Sequence, residues 1–211
     1  LPFLRVLSMD IQGKGAVIEK MMDYLPRIMR GWSDILDIVG YLLPGQYQAS
    51  IELLLGRLPS NRLWVVDNCK GLMDLLVRDS YLLKSKTVLA ALTALDATAE
   101  GENQNKSAIW YLAANHATFG LLMQMLVDHP ELLVNPDMQT ALTALPTRAA
   151  GEYENKSAIW HLAAAVDTRG KNSRGLLIQV LVDHPELLKH PGMETALTAL
   201  PTSAAGEVEN R

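Results

Sequence analysis

The sequence predicts an all-α chain, an α-helical repeat solenoid with about three helices per unit and a period of 50 to 55 residues. Three observations carry that expectation. The string "ALTAL" recurs at 91–95, 141–145 and 196–200. The string "LVDHPELL" stands at 126–133 and 181–188, with a diverged copy, "LVRDSYLL", at 76–83. Apolar residues within each copy recur at i, i+3, i+4 and i+7 instead of alternating, which is the helical period and not the strand period. Repetition at such a spacing is the mark of a supersecondary unit that buries its apolar face only by stacking on copies of itself.

The copies are offset by 50 residues and then by 55, and the extra residues fall between Trp160 and Gly175, where "AVDTRGKNSRG" replaces the shorter "NHATFG". An earlier, weaker copy is read at 15–29, "GAVIEKMMDYLPRIM", followed by "DILDIVGYLL". Four units are expected, at about 1–60, 61–105, 106–155 and 156–211, forming a single helical-repeat domain. The final "GEVENR" restarts the motif seen at "GENQNK" and "GEYENK", so the chain is expected to be a piece of a longer protein.

The first helix of a unit is expected at "KSAIWYLAANH", with Ile109, Leu112, Ala113 and His116 in one stripe and Trp110 beside it. A second helix follows, with Leu121, Leu122, Met125 and Leu126 inward, Gln124 and Asp128 outward, and an end near Pro130. The third has the clearest start: Asn135 as cap, Pro136 at the first helical position and Asp137 in the first turn, where the helix dipole favours an acid. Met138, Ala141, Leu142 and Leu145 continue it, as Met193, Ala196, Leu197 and Leu200 do one unit later, and Pro146 and Pro201 close the two copies. "GEYENKSAIW" is a polar connector leading into the first helix.

With 211 residues, 49% of them apolar, the chain is long enough to bury a sizeable core. A net charge of -4 without any Lys/Arg run argues against a nucleic-acid surface. The one cysteine, Cys69, excludes an intrachain disulfide and fits a reducing compartment. No apolar run approaches the roughly 18 to 20 residues of a membrane span.

The first two helices resemble an ankyrin repeat. "NKSAIWHLAA" is similar to the ankyrin signature G-K-T-P-L-H-L-A-A, and "GLLIQVLVDHPELL" to its second helix, which together cover about half of each unit. Ser157 and Ala158 stand where Thr-Pro is expected, the period is near 50 instead of about 33, and a third helix takes the place of the projecting hairpin. The resemblance is to a degenerate, ankyrin-like repeat of the type found in secreted effectors of intracellular bacteria, and it implies a protein-binding role in the cytoplasm or another reducing compartment, including a host cytoplasm reached by secretion. Armadillo repeats compete on period, about 40 to 47 residues, without a matching motif.

Trp64, Trp110 and Trp160 occupy equivalent places and are expected to fill the gaps between successive units; Trp32 falls outside the series. "DHPE", at Asp128–His129 and Asp183–His184, brings a carboxylate and an imidazole together, but neighbouring helix positions point about 100° apart, so a helix-ending turn is the better reading than acid–base chemistry. His184 and His190 have poor zinc spacing, and Cys69 in "VVDNCKG" reads as a small buried hydrophobe. No catalytic residue, metal site or cofactor is expected.

Two surface features remain as candidate contacts. The acidic connectors repeat a glutamate pattern through Glu102, Glu152 and Glu154. The insertion brings together Arg169, Lys171, Asn172 and Arg174, and insertions in solenoids map to loops on one face, often the binding face. The expected function is a protein–protein interaction scaffold whose partner is another protein, with no nucleic acid and no membrane span. The alternatives are a segment that positions the substrate of a catalytic domain elsewhere, and a structural spacer.

Overall fold

The computed structural model describes residues 63–95, 105–146, 156–164 and 173–198, with side-chain surroundings described for all of these except 63–68, 173–174 and 198. The first expected unit, Trp32 and the side chain of Trp64 lie outside those residues. Every regular element among them is helical. The α-helices are α1 (Leu63–Arg78), α2 (Lys86–Thr93), α3 (Ala108–Ala114), α4 (Phe119–Asp128), α5 (Pro136–Thr143), α6 (Ala158–Ala164), α7 (Ser173–Asp183) and α8 (Pro191–Thr198). Short 3-10 turns at Ser80–Lys84, Pro130–Leu132 and Pro185–Lys189 lead into α2, α5 and α8.

The local causes are legible in the caps. Asn135 Oδ1 accepts from the backbone N–H of Asp137 at 2.9 Å and of Met138 at 3.1 Å, and Pro136 follows it at the first helical position. Ser107 caps α3 by accepting from the Trp110 N–H at 3.1 Å, and Ser157 does the same for Trp160 at 3.2 Å. The third helices stop earlier than their prolines require: α5 ends at Thr143, whose hydroxyl donates back to the Gln139 carbonyl at 2.8 Å, as Thr93 does to Leu89 in α2. Leu145 therefore lies beyond the helix and is only half-buried.

Two side-chain placements differ from the stripe reading. Asn115 leaves the helical region, its side chain accepts from the Ala117 N–H at 2.8 Å, and Thr118 Oγ1 donates to the Leu112 carbonyl at 2.7 Å. That polar turn stops α3 at Ala114 and leaves His116 exposed. In α4 the buried set is Phe119, Leu122, Met123, Met125 and Leu126, while Leu121 is exposed. At ~100° per residue Met123 lies about 40° from Phe119 around the axis and Leu121 about 160°, so Leu121 is turned away.

α1 has no such break. Trp64 stands twelve positions before Leu76, whereas Trp110 stands sixteen before Leu126, and the residues missing are those of the Asn115–Thr118 turn. One uninterrupted helix therefore does the work of α3 and α4.

Counterparts pack on counterparts: α2 against α5, α5 against α8, α3 against α6 and α4 against α7, with α1 against both α3 and α4. α3 also meets α4, and α6 reaches α5, α7 and α8. The buried side chains join in one hydrophobic cluster from Cys69 to Ala196. The α5–α8 approach is close: a Cβ at Gly192 would lie 2.6 Å from Thr143 Oγ1, so only glycine fits there without a shift.

Candidate functional site

The residues with the most distinctive surroundings sit where α3 meets α6. Asn105 takes a positive φ of 62°, a region that asparagine enters at little cost, and so turns the chain into Lys106 and the Ser107 cap. The Lys106 ammonium then lies over the Trp110 ring, 4.3 Å from its centroid, and Lys156 repeats the arrangement over Trp160 at 4.2 Å. Trp110 reaches across to the next copy, its Nε1–H donating to the Lys156 carbonyl at 2.8 Å. His161 presents itself edge-on to both indoles, with centroids 4.9 Å from Trp110 and 5.3 Å from Trp160.

Burial, followed by the charges of Lys156 and Lys106, lowers the His161 pKa to about 4. The imidazole is therefore neutral near pH 7 and acts there as an aromatic body in a stack. Tyr111, its counterpart, stands edge-on to Trp110 in the same way at 5.3 Å. The chemistry of this cluster is cohesion between successive copies: cation–π contacts, edge-to-face rings and one cross-unit hydrogen bond.

The "DHPE" groups are divided among their own turns. Asp128 accepts from Gln124 Nε2 at 2.9 Å, and Asp183 from Gln179 at 2.9 Å, while His129 pairs with Glu131 at 3.2 Å and His184 with Glu186 at 3.1 Å. The Glu131 and Glu186 carboxyls sit below the ordinary range, first because of a backbone hydrogen bond within the turn and then because of the neighbouring histidine. His190 Nδ1 accepts from the Gly192 N–H at 3.3 Å, and Cys69 is buried in the core. No group of three or more His, Cys, Asp or Glu residues that could hold a metal ion occurs among the described residues.

Of the residues singled out as contacts, Glu102, Glu152, Glu154, Arg169, Lys171 and Asn172 lie outside the described residues. Arg174 lies inside α7, in register with Phe119 of α4, so the added length falls at 165–172, against 115–117 in the preceding copy. The paired lysines escaped the sequence reading, although a signal was present: Lys106 and Lys156 each stand four positions before a tryptophan, immediately ahead of the serine that caps its helix.

No protein-family model, curated protein or solved structure matches this chain. The ankyrin-like resemblance rests on the quoted strings alone. None of the helices among the described residues is long and apolar enough to cross a membrane.

Proposed function

We propose that the chain is a protein–protein interaction scaffold, a solenoid of degenerate ankyrin-like units that acts through its surface and without catalysis of its own. The observation that carries this reading is the alignment of exposed side chains by the packing of counterpart helices. Val77 of α1, Val127 of α4 and Val182 of α7 hold the same place in their copies, and all three are exposed. Leu121 and Leu176 form a second such pair. Packing α1 on α4 and α4 on α7 brings the helices that carry these residues side by side, and exposed apolar side chains repeated on neighbouring helices favour a protein surface as their ligand. Glu102, Glu152 and Glu154 of the connectors, and Arg169, Lys171 and Asn172 of the insertion, would supply polar contacts. The strings similar to ankyrin repeats support a role as the binding segment of a bacterial effector in a reducing cytoplasm, where the buried thiol of Cys69 is at home.

The test is cross-linking of the chain to its partners, read by mass spectrometry, for the wild type and for a Val77→Lys, Val127→Lys, Val182→Lys variant with an unchanged far-UV CD spectrum. The scaffold reading expects cross-links near α1, α4 and α7 that the variant loses. Cross-links that persist in the variant would move the contact surface elsewhere, and the absence of any partner would favour the spacer.

A further inference from the structure

Four positions in the repeat follow one pattern of burial. Met73 and Met123 are fully buried, yet their counterpart Ile178 is 53% exposed. Leu83 and Leu133 are 3% and 2% exposed, but Leu188 is 50% exposed. Leu76 and Leu126 are buried where Leu181 is half-buried, and Leu92 and Leu142 are buried where Leu197 is half-buried. Trp110 is buried and Trp160 half-buried, so Trp110 meets the expectation that these tryptophans fill the gaps between units more fully than Trp160 does.

One physical difference accounts for all five. In the earlier copies the next copy packs on the elements that carry or adjoin these side chains: α7 on α4, α8 on α5 and α6 on α3. The last described copy presents the same face uncovered. A polar observation agrees with the apolar ones. The Trp110 indole N–H donates to the Lys156 carbonyl of the following copy, whereas the Trp160 indole N–H makes no hydrogen bond among the described residues, although Lys156 lies over its ring as Lys106 lies over that of Trp110.

We propose that the face formed by Trp160, Ile178, Leu181, Leu188 and Leu197 is a docking surface for a further unit of this same repeat. The occupant is defined by chemistry: a helix of the N-[KR]-S-A-I-W-[YH] type, whose residue at the Lys156 position offers its carbonyl to Trp160 Nε1–H and whose Tyr or His stands edge-on to the Trp160 ring. Its second and third helices pack on α7 and α8 as those pack on α4 and α5, and so cover Ile178 and Leu188. The surface is continuous with an interface that the chain forms twice with itself, and apolar cover is the driving force in both. This inference rests on the stacking part of the scaffold reading and not on partner binding.

The test uses the full chain, alone and lengthened by a second copy of residues 157–211 joined after Arg211, which keeps the connector "GEVEN" at 206–210 in the register of "GEYEN" at 151–155. Amide hydrogen exchange in α6–α8 should slow at least tenfold in the lengthened chain. Ile178→Asp with Leu188→Asp should abolish that slowing and leave exchange in the original chain unchanged, because both residues are exposed there. Unchanged exchange on lengthening, whether or not helical signal is added, overturns the proposal. So does light scattering that finds the original chain dimeric and the double variant monomeric, which would assign the face to a second copy. Met123→Asp in the original chain separates the two readings: it should accelerate exchange in α4 and α7 if copies stack as described, and its failure to do so would sink the stacking itself.

Discussion

The indole N–H of Trp110 donates to the backbone carbonyl of Lys156 across 2.8 Å, joining two copies of the repeat 46 residues apart in sequence. The ring carries Lys106 on one face and meets His161 edge-on, so one side chain combines apolar cover, a cation–π contact and a hydrogen bond. Trp110→Ala should lower stability by about 3 to 5 kcal/mol, the usual range for emptying a large aromatic site. Trp110→Phe keeps most of the cover but leaves a carbonyl without its donor, a loss of about 1 to 3 kcal/mol. Urea unfolding followed by circular dichroism measures both, and a Trp110→Phe variant as stable as the wild type would remove the hydrogen bond from the account.

His161 makes the same junction sensitive to acid. Its folded pKa of about 4 lies below the ordinary 6.5, so as the pH falls the unfolded chain takes up the proton first. The contribution is intact above pH 6.5, declines between 6.5 and 4, and is fully lost below 4. The shift corresponds to a loss of about 3 kcal/mol. His161→Tyr, which installs the residue of the preceding copy, should remove this component, so that the stability difference between variant and wild type widens from pH 7.5 to pH 4. Parallel pH curves would contradict it.

Two glycines should respond in opposite directions. Gly192→Ala drives a methyl into Thr143, whose Oγ1 and Cβ would lie 2.6 and 2.9 Å away, and should destabilise by about 1 to 3 kcal/mol. Gly120→Ala meets nothing within 4 Å inside α4 and should be neutral or stabilising by up to about 1 kcal/mol. Thermal unfolding of the two variants side by side checks the α5–α8 approach directly.

Capping strength should rank with geometry. Asn135 satisfies two backbone donors at 2.9 and 3.1 Å, whereas Ser85 holds one at 3.5 Å. Asn135→Ala should therefore cost about 1 to 2 kcal/mol, and Ser85→Ala a few tenths. Equal effects in denaturant titrations would show that the caps are not what fixes the starts of α5 and α2.

The caps were readable because they are local: Asn135, Pro136 and Asp137 act on backbone groups two or three residues away. The stripe of Met138, Ala141 and Leu142 was readable for a related reason, since a helix with one covered side shows its period plainly. α4 is covered on more than one side, by α3, α7 and α1. A stripe placed on Leu121, Leu122, Met125 and Leu126 is then off-centre: it takes in Leu121, which is exposed, and omits Met123, which is buried. His116 misled because the Asn115 turn competes with the helix for the same backbone groups, and periodicity carries no trace of that competition. The junction of Trp110, Lys156 and His161 was half legible: the repeated tryptophan marked an inter-unit gap, but the carbonyl it meets and the depressed histidine depend on how two copies are offset in space.

The central claim is that successive copies stack through this junction, and proton–proton contacts in solution test it most directly. An NOE spectrum of the full chain should show the Trp110 indole Hε1 close to Lys156 Hα and to the His161 ring protons, with that indole proton exchanging slowly with water. Rapid exchange of the Trp110 indole proton, with no contact to residues 156–161, would contradict the account.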